Sequence, residues 1–560
     1  MKRLSRVGIL GVLLVGWYLR LNVLPGRAPW YDEALEIFQA LRFPHNFIRL
    51  LSGERMFLFD PPTYYALLSA SEAVSMDGLW LRLPSLAFGL LAIVFAWKAG
   101  ACLQRHVGGI GAAFFVALSP TSVYFSQEIN QYGLVLGLSA LVLYALCRIV
   151  GHRKRIYLWI LAATIVLGVW THYSFFFLIP LAFLAIWLYS RNASPHWKRS
   201  ILWAGLFVLL CVLVLSPLAY LQARIFTSPD VSPLSAHPSV AGILRNLYEL
   251  LYTLFYNGIV FMAGGGDALC TLHAIYMLLL FMMGLLGLWQ RDTRACAVVM
   301  LLGAVETSVA FWVGVYPLAG WLGRHHVIWI PFLAFTTSVG NEQLIRALSR
   351  FIAKRANHSL SRLQPLTRNL IVLITTGSLL GFPLHKMGTM NEWYVAHNPQ
   401  INDLRTLLQE ANIGDRDTVV VYYGSLPAVA YYQLEGLTGA ESQQVAWNQL
   451  RISQEWPTGC WRRDKGSACK VGNVIYLPWL RQQPPQAHLR ALADRWDDDT
   501  PETFWLVFSH VWGTERQDLL DHLQRAGWHV GRSLEGQGAW MYLLESRDTT
   551  QIPADPQSER

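Results

Sequence analysis

The feature that most constrains this fold is a succession of apolar runs, each about as long as a bilayer is thick, separated by short loops rich in arginine and lysine. Runs near residues 4–24, 79–103, 109–126, 129–148, 157–173, 174–190, 200–222, 271–290, 295–316, 326–343 and 369–385 predict eleven membrane spans. Lipid offers the backbone no hydrogen-bond partners, so such runs are expected to cross as helices. Composition agrees, with 53% hydrophobic and 14% charged residues, where soluble chains carry about 25% charged. The sequence therefore specifies a polytopic α-helical membrane protein.

The net charge of +9 conceals a division along the chain. Residues 1–385 hold 29 Lys and Arg against 14 Asp and Glu, a net of +15, whereas residues 386–560 hold 16 against 22, a net of −6. The clusters Arg148/Arg153/Lys154/Arg155, Arg191/Lys198/Arg199, Arg291/Arg294 and Arg346/Arg350/Lys354/Arg355 all fall on one side of the span count. That asymmetry marks the cytoplasmic face and puts the N-terminus there. Basic residues confined to inter-span loops are not a nucleic-acid footprint. Arg20 interrupts the first run and no small-residue cleavage pattern follows it, so the run is expected to stay as an uncleaved anchor.

Eleven spans leave everything after about Lys386 outside the cytoplasm, and the composition changes at that point. Strand-like runs at Thr418 to Tyr423, Asn473 to Leu477, Phe504 to His510 and Trp540 to Leu544 alternate with helical stretches around Ala428, Leu489 and Leu519. This rhythm predicts an α/β domain with an open parallel sheet over residues 386–560, following a transmembrane domain over 1–385. Cys460 and Cys469 stand close together in this outward-facing region, where a disulfide closing a short loop is expected.

Polar side chains recur at the outer ends of the spans. They are Asp32 and Glu33 after the first, then Asp60-Pro61-Pro62 with Tyr64 and Tyr65, and Arg82 with Pro84 and Ser85. Ser119-Pro120, Ser126-Gln127-Glu128 with Tyr132, Thr171-His172-Tyr173 and Arg324-His325-His326 complete the set. Each has a plainer role open to it: Asp32 as a helix cap, Glu128 as a solvated loop acid, His172 as an interfacial histidine, Arg324 as a snorkelling anchor. Gathered at one membrane face, acids, a histidine and arginines are better explained by a shared site.

The order and spacing of these pieces resemble the GT-C type glycosyltransferases that use polyprenyl-phosphate sugars, the group containing protein O-mannosyltransferases and lipid A aminoarabinose transferases. The resemblance runs through Tyr31-Asp32-Glu33, Asp60-Pro61-Pro62 with Tyr64, Arg82-Leu83-Pro84-Ser85, Ser119-Pro120, Ser126-Gln127-Glu128 with Tyr132 and Thr171-His172-Tyr173, and resumes at Arg324-His325-His326. It implies an integral protein of the plasma membrane, the inner membrane in a bacterium, with its active site on the outer face. Asp32 matches the acid proposed as catalytic base, and Glu128 an acidic position in the second outer loop. Two departures stand out: Asp60 where the family often has His, and Ile129-Asn130-Gln131 in place of a basic residue before Tyr132.

The chemistry implied is transfer of a sugar from a polyprenyl-phosphate donor to an acceptor hydroxyl or amine on a lipid, glycan or protein. Such a reaction needs a base for the acceptor and a cation for the departing phosphate. Asp32, with Glu33 and Glu128, offers carboxylates, and Arg324, His325 and Arg82 offer the phosphate contacts. Asp60, Tyr64, Tyr132 and His172 are expected to complete the site, and a divalent ion between Asp32 and Glu128 is a further candidate. The competing class is a transporter or lipid flippase, for which internal repeats and midplane charges would be expected.

Overall fold

The computed structural model describes, apart from shorter gaps, residues 2–48, 60–103, 106–226, 268–299, 327–355, 404–432, 469–477, 485–496 and 501–546. The chain divides into two compact units. One holds Met1–Pro25, Pro44–Leu67 and Arg82–Asn391, and the other Gly26–Phe43, Leu68–Leu81 and Glu392–Arg560.

Helices α1 (Lys2–Leu21), α2 (Tyr31–Leu41), α3 (Pro62–Glu72) and α4 (Gly78–Cys102) follow one another, with α2 in the second unit. Next come α5 (His106–Leu118), α6 (Pro120–Ser126), α7 (Tyr132–His152) and α8 (Ile156–Val169). A 3₁₀ turn, Tyr173–Phe177, leads into α9 (Leu178–Tyr189), and α10 (Pro195–Phe226), α11 (Ala268–Trp289) and α12 (Ile330–Arg355) complete the described helices of the first unit. Three of these helices, through Gly78–Cys102, Tyr132–Gly151 and Pro195–Tyr220, are long and apolar enough to cross a bilayer, and shorter apolar helices accompany them. The runs expected at 295–316 and 369–385 lie almost wholly outside the described residues.

Helices in lipid gain no hydrophobic advantage from meeting one another, so close backbone approach carries much of their association. Gly133 and Gly137, one turn apart on α7, provide it against α4. A Cβ at Gly133 would stand 2.7 Å from Ser85 Cα, and one at Gly137 would stand 2.8 Å from Phe88 O. Gly284 and Gly340 do the same where α11 crosses α12, since a Cβ on either would meet the other helix's backbone. The run expected as one span over 109–126 is two helices. Pro120 removes the amide that would bond Val116 O and disfavours helix at Ser119, so α5 stops and Ser119 caps α6, accepting from Ser122 N at 3.3 Å.

In the second unit, α13 (Leu404–Ala411) precedes β1 (Thr418–Val421) and α14 (Leu426–Tyr432). Strands β2 (Cys469–Val471) and β3 (Val474–Tyr476), helix α15 (Pro485–Trp496), β4 (Thr503–Ser509), α16 (Glu515–Arg525), β5 (Trp528–Gly536) and β6 (Ala539–Ser546) follow. The sheet order is β2-β3-β1-β4-β6-β5. Only its centre is parallel, β1 pairing with β3 and β4, whereas β2, β6 and β5 run antiparallel to their neighbours. The all-parallel expectation fails at the edge because β5 and β6 are joined by a short turn through Gly538 (φ 64°), which allows only a hairpin.

Alternation along the central strands divides the core in two. Val420, Phe504, Leu506 and Phe508 pack with Leu492 and Trp496 of α15 and Leu519 and Leu523 of α16. Val419, Val421, Trp505 and Val507 pack with Leu404 and Leu407 of α13 and Leu426 of α14. Beyond the carboxyl ends of β1 and β4, whose following helices α14 and α16 pack on opposite faces of the sheet, many α/β sheets hold ligands. Here fully buried Tyr422 and Tyr423 follow β1, and both hydroxyls donate to Glu515 Oε2 at the start of α16, Tyr423 at 2.7 Å. The buried ring of His488 lies parallel to Tyr423, with centroids 6.2 Å apart.

Candidate active site

The sequence-predicted residues of the first unit converge on the loop between α6 and α7. Glu128 is 2% exposed, so it is not a solvated loop acid. Tyr132 opens α7, packs at a tilt against Phe125 (4.8 Å between centroids) and meets the His172 ring at 5.3 Å. His172 precedes the 3₁₀ turn, and its Nδ1 accepts from Ser174 N at 3.1 Å. An accepting Nδ1 carries no proton, so the neutral ring holds its hydrogen on Nε2.

Asp60 is half-buried at the entrance to α3 and lies within electrostatic reach of the Tyr173 phenol. Thr63 N donates to Trp170 O at 3.0 Å, tying the start of α3 to the end of α8, two residues before His172. Pro61 and Pro62 set that entrance: Pro62 opens the helix, where its missing amide costs nothing. Tyr64 and Tyr65 are fully buried on α3, with ring centroids 6.3 Å apart. Arg82 is buried on α4, one turn before Ser85, whose Oγ donates to Asn130 O at 2.9 Å. The first unit thus brings Asp60, Glu128, Tyr132 and His172 into one neighbourhood, with the helix of Arg82 attached to the same loop.

Asp32 and Glu33 lie in the first turn of α2, within the second unit. Asp32 is half-buried and Glu33 and Glu36 are buried. Asp32 falls inside the helix rather than at the cap, and both acids favour the positive helix end. There α2 packs on α14, and Tyr432 Oη donates to Pro29 O at 3.4 Å. The same unit holds a carboxyl that sequence reasoning missed. Glu72, at the end of α3, is 1% exposed, and neither of its carboxyl oxygens meets a hydrogen-bond partner among the described residues. Burial pushes this group well above the usual carboxylate range. Its only sequence signal is an acid within an apolar stretch.

Arg324, His325 and Cys460 lie outside the described residues, and Cys469 falls on β2. Among the described residues no group of three or more His, Cys, Asp or Glu side chains is placed to hold a metal ion. The two carboxylates that the sequence suggests for a divalent ion, Asp32 and Glu128, lie in different units of the chain.

Residues 60–220 match the family model described as dolichyl-phosphate-mannose-protein mannosyltransferase, which covers the α3 entrance, Arg82, the Glu128 loop and His172. Among solved structures the chain is similar to ArnT from Cupriavidus metallidurans in the apo state, with a TM-score of 0.52 and 14% identity over 96% of this chain and 97% of that one. The chain shares the fold of ArnT. The same ArnT bound to undecaprenyl phosphate is similar at a TM-score of 0.51 and 14% identity, over 96% and 97% of the two chains. No curated protein matches this chain in sequence. The ArnT-like fold extends over nearly the whole chain and so includes the α/β unit.

Proposed function

We propose that the protein transfers a sugar from a polyprenyl-phosphate donor to an acceptor on the outer face of the plasma membrane. The observation that carries this reading is the buried acid Glu128 in the loop leading to Tyr132, whose ring meets His172, within the stretch that matches the mannosyltransferase family model. In this reading the N-terminus is cytoplasmic, and residues 386–560 form an extracytoplasmic domain following a transmembrane domain over 1–385. The ArnT form crystallised with undecaprenyl phosphate supports a lipid phosphate as the donor's carrier.

Asp32 takes the proton from the acceptor hydroxyl or amine as the bond to the sugar's anomeric carbon forms, and the lipid phosphate leaves with the bonding electrons. Arg82 and Arg324, with His325, meet the negative charge that develops on that phosphate, which a planar guanidinium can hold through two parallel hydrogen bonds. Glu128 orients the donor sugar or acceptor next to Tyr132 and the Nε2–H of His172, while Asp60 and Tyr64 line the approach from α3. Glu33, the second acid of the α2 turn, is the alternative base. The acceptor is a lipid, a glycan or a protein.

The deciding experiment compares surface glycolipids, glycans and glycoproteins by mass analysis in cells with and without this protein. One sugar missing from one acceptor class is expected. Identical profiles, together with no transfer from polyprenyl-phosphate sugars in membranes enriched in the protein, would contradict the reading.

A further inference from the structure

Arg20 stands in the last turn of α1, inside an apolar helix, and is fully buried. A charge so placed needs every donor satisfied, since lipid and core supply none of the solvation that water would. Its five N–H donors meet five acceptors. Nε donates to Ser126 Oγ (3.1 Å), Nη1 to Gly16 O and Ala117 O (both 3.0 Å), and Nη2 to Val116 O (3.1 Å) and Ser122 Oγ (2.8 Å). None is a carboxylate.

Two of those acceptors exist because of Pro120. Val116 O and Ala117 O are carbonyls of the last turn of α5, and Pro120 lacks the amide that would bond the first of them. The guanidinium supplies the missing donors at the negative end of that helix, where a cation is favoured. The contact is reciprocal. Gln127 Nε2 donates to Leu19 O (3.0 Å) and Arg20 O (3.2 Å), carbonyls of the last turn of α1. Gly89 of α4 leaves the space for this junction: a Cβ there would collide with Ser126 Oγ and lie 3.3 Å from Arg20 Nε.

Residues 122, 126 and 127 are therefore pinned to α1, and the next residue is Glu128. We propose that Arg20 is a positioning residue for Glu128. Through the Ser122/Ser126/Gln127 clamp it fixes the acid that the proposed transfer reaction uses, and the inference rests on that reading for its kinetic consequence. Arginine is required in this role because lysine has three donors for five acceptors and no planar fork.

The test uses the full-length protein in membranes. Arg20→Lys should lower kcat for sugar transfer at least about tenfold, since small misplacements of site groups cost up to about 10²-fold, while KM for the lipid donor stays within about threefold. In a double-mutant cycle, Arg20→Lys should add almost nothing to Glu128→Gln, because both act through one group. A purely structural arginine would lower the amount of folded protein and multiply its effect onto Glu128→Gln, and that result would overturn the proposal. Gln127→Leu keeps Arg20 while removing the reciprocal bonds, so it should give a weaker version of the same signature even where Arg20→Lys fails to fold.

A second arm does not depend on transfer. The thiol of a Glu128→Cys variant, followed peptide by peptide with a maleimide, should react about tenfold faster when Arg20→Lys or Gln127→Leu is added, because the clamp no longer holds the loop closed. Unchanged labelling would refute the positioning role. Faster labelling without any transfer by the wild type would refute the proposed function and leave the clamp standing.

Discussion

Lowering the pH should loosen the α/β unit through one side chain. His488 of α15 is 3% exposed, lies against Tyr422 and Tyr423, and its Nδ1 meets no hydrogen-bond partner among the described residues. Burial lowers its pKa from the ordinary 6.5 to about 4, against a smaller opposing pull from Glu515. The folded state therefore binds fewer protons than the unfolded state between these values, and stability falls as pH drops through that window. The full difference of roughly 2.5 units is worth about 3 kcal/mol, of which about 2 kcal/mol is lost by pH 5. Openings of the unit should then be about 30-fold more populated at pH 5 than at pH 8.

Peptide-resolved hydrogen exchange of the full-length protein, corrected for intrinsic rates, would read this on β1 and β4. In His488→Phe, which keeps an aromatic ring against Tyr423, most of the pH dependence should disappear. Equal acid-lability in wild type and His488→Phe would refute the reasoning and move the effect to another group.

Gly137→Leu should prevent folding of the first unit, since the added side chain has nowhere to go against Phe88 O; recovery of folded protein after mild solubilisation reads this. A reporter fused after residue 400 should be active only outside the cytoplasm, and one fused near Arg355 only inside. Arg82→Ala should raise KM for the lipid donor at least about tenfold, with Lys rescuing only part, as loss of a charge-assisted contact to phosphate requires; an unchanged KM would return Arg82 to a role in helix packing.

Much of the bundle was legible because length and hydropathy carry the span signal and neither needs tertiary information. The described helices α4, α7, α8, α10 and α11 lie where their apolar runs lie. What hydropathy misses is hydrogen-bond geometry. Residues 109–126 read as one run, yet Pro120 splits them, and the orphaned Val116 carbonyl finds its donor 96 residues away in Arg20. Arg20 itself was readable as a charge in an apolar run, but its partners were not. In the α/β unit the central strands announce themselves through Val, Trp and Phe. Strand β5 hides because Gly531 sits at a register shift and its middle is exposed, which erases alternation. The motif residues Asp60, Glu128, Tyr132 and His172 were found by order and spacing; that Glu128 is buried came only from packing.

The central claim is sugar transfer with Asp32 as base, and one measurement addresses it most directly. Labelled sugar transfer from a polyprenyl-phosphate donor would be followed in membranes carrying equal amounts of wild type, Asp32→Asn and Glu33→Gln. Asn keeps the size of Asp, and losing one first-turn charge should cost no more than about 1 kcal/mol of stability. Transfer by Asp32→Asn should fall by roughly 10²–10⁴ with protein level and donor binding unchanged. Near-normal transfer by Asp32→Asn would contradict the account and pass the role of base to another acid.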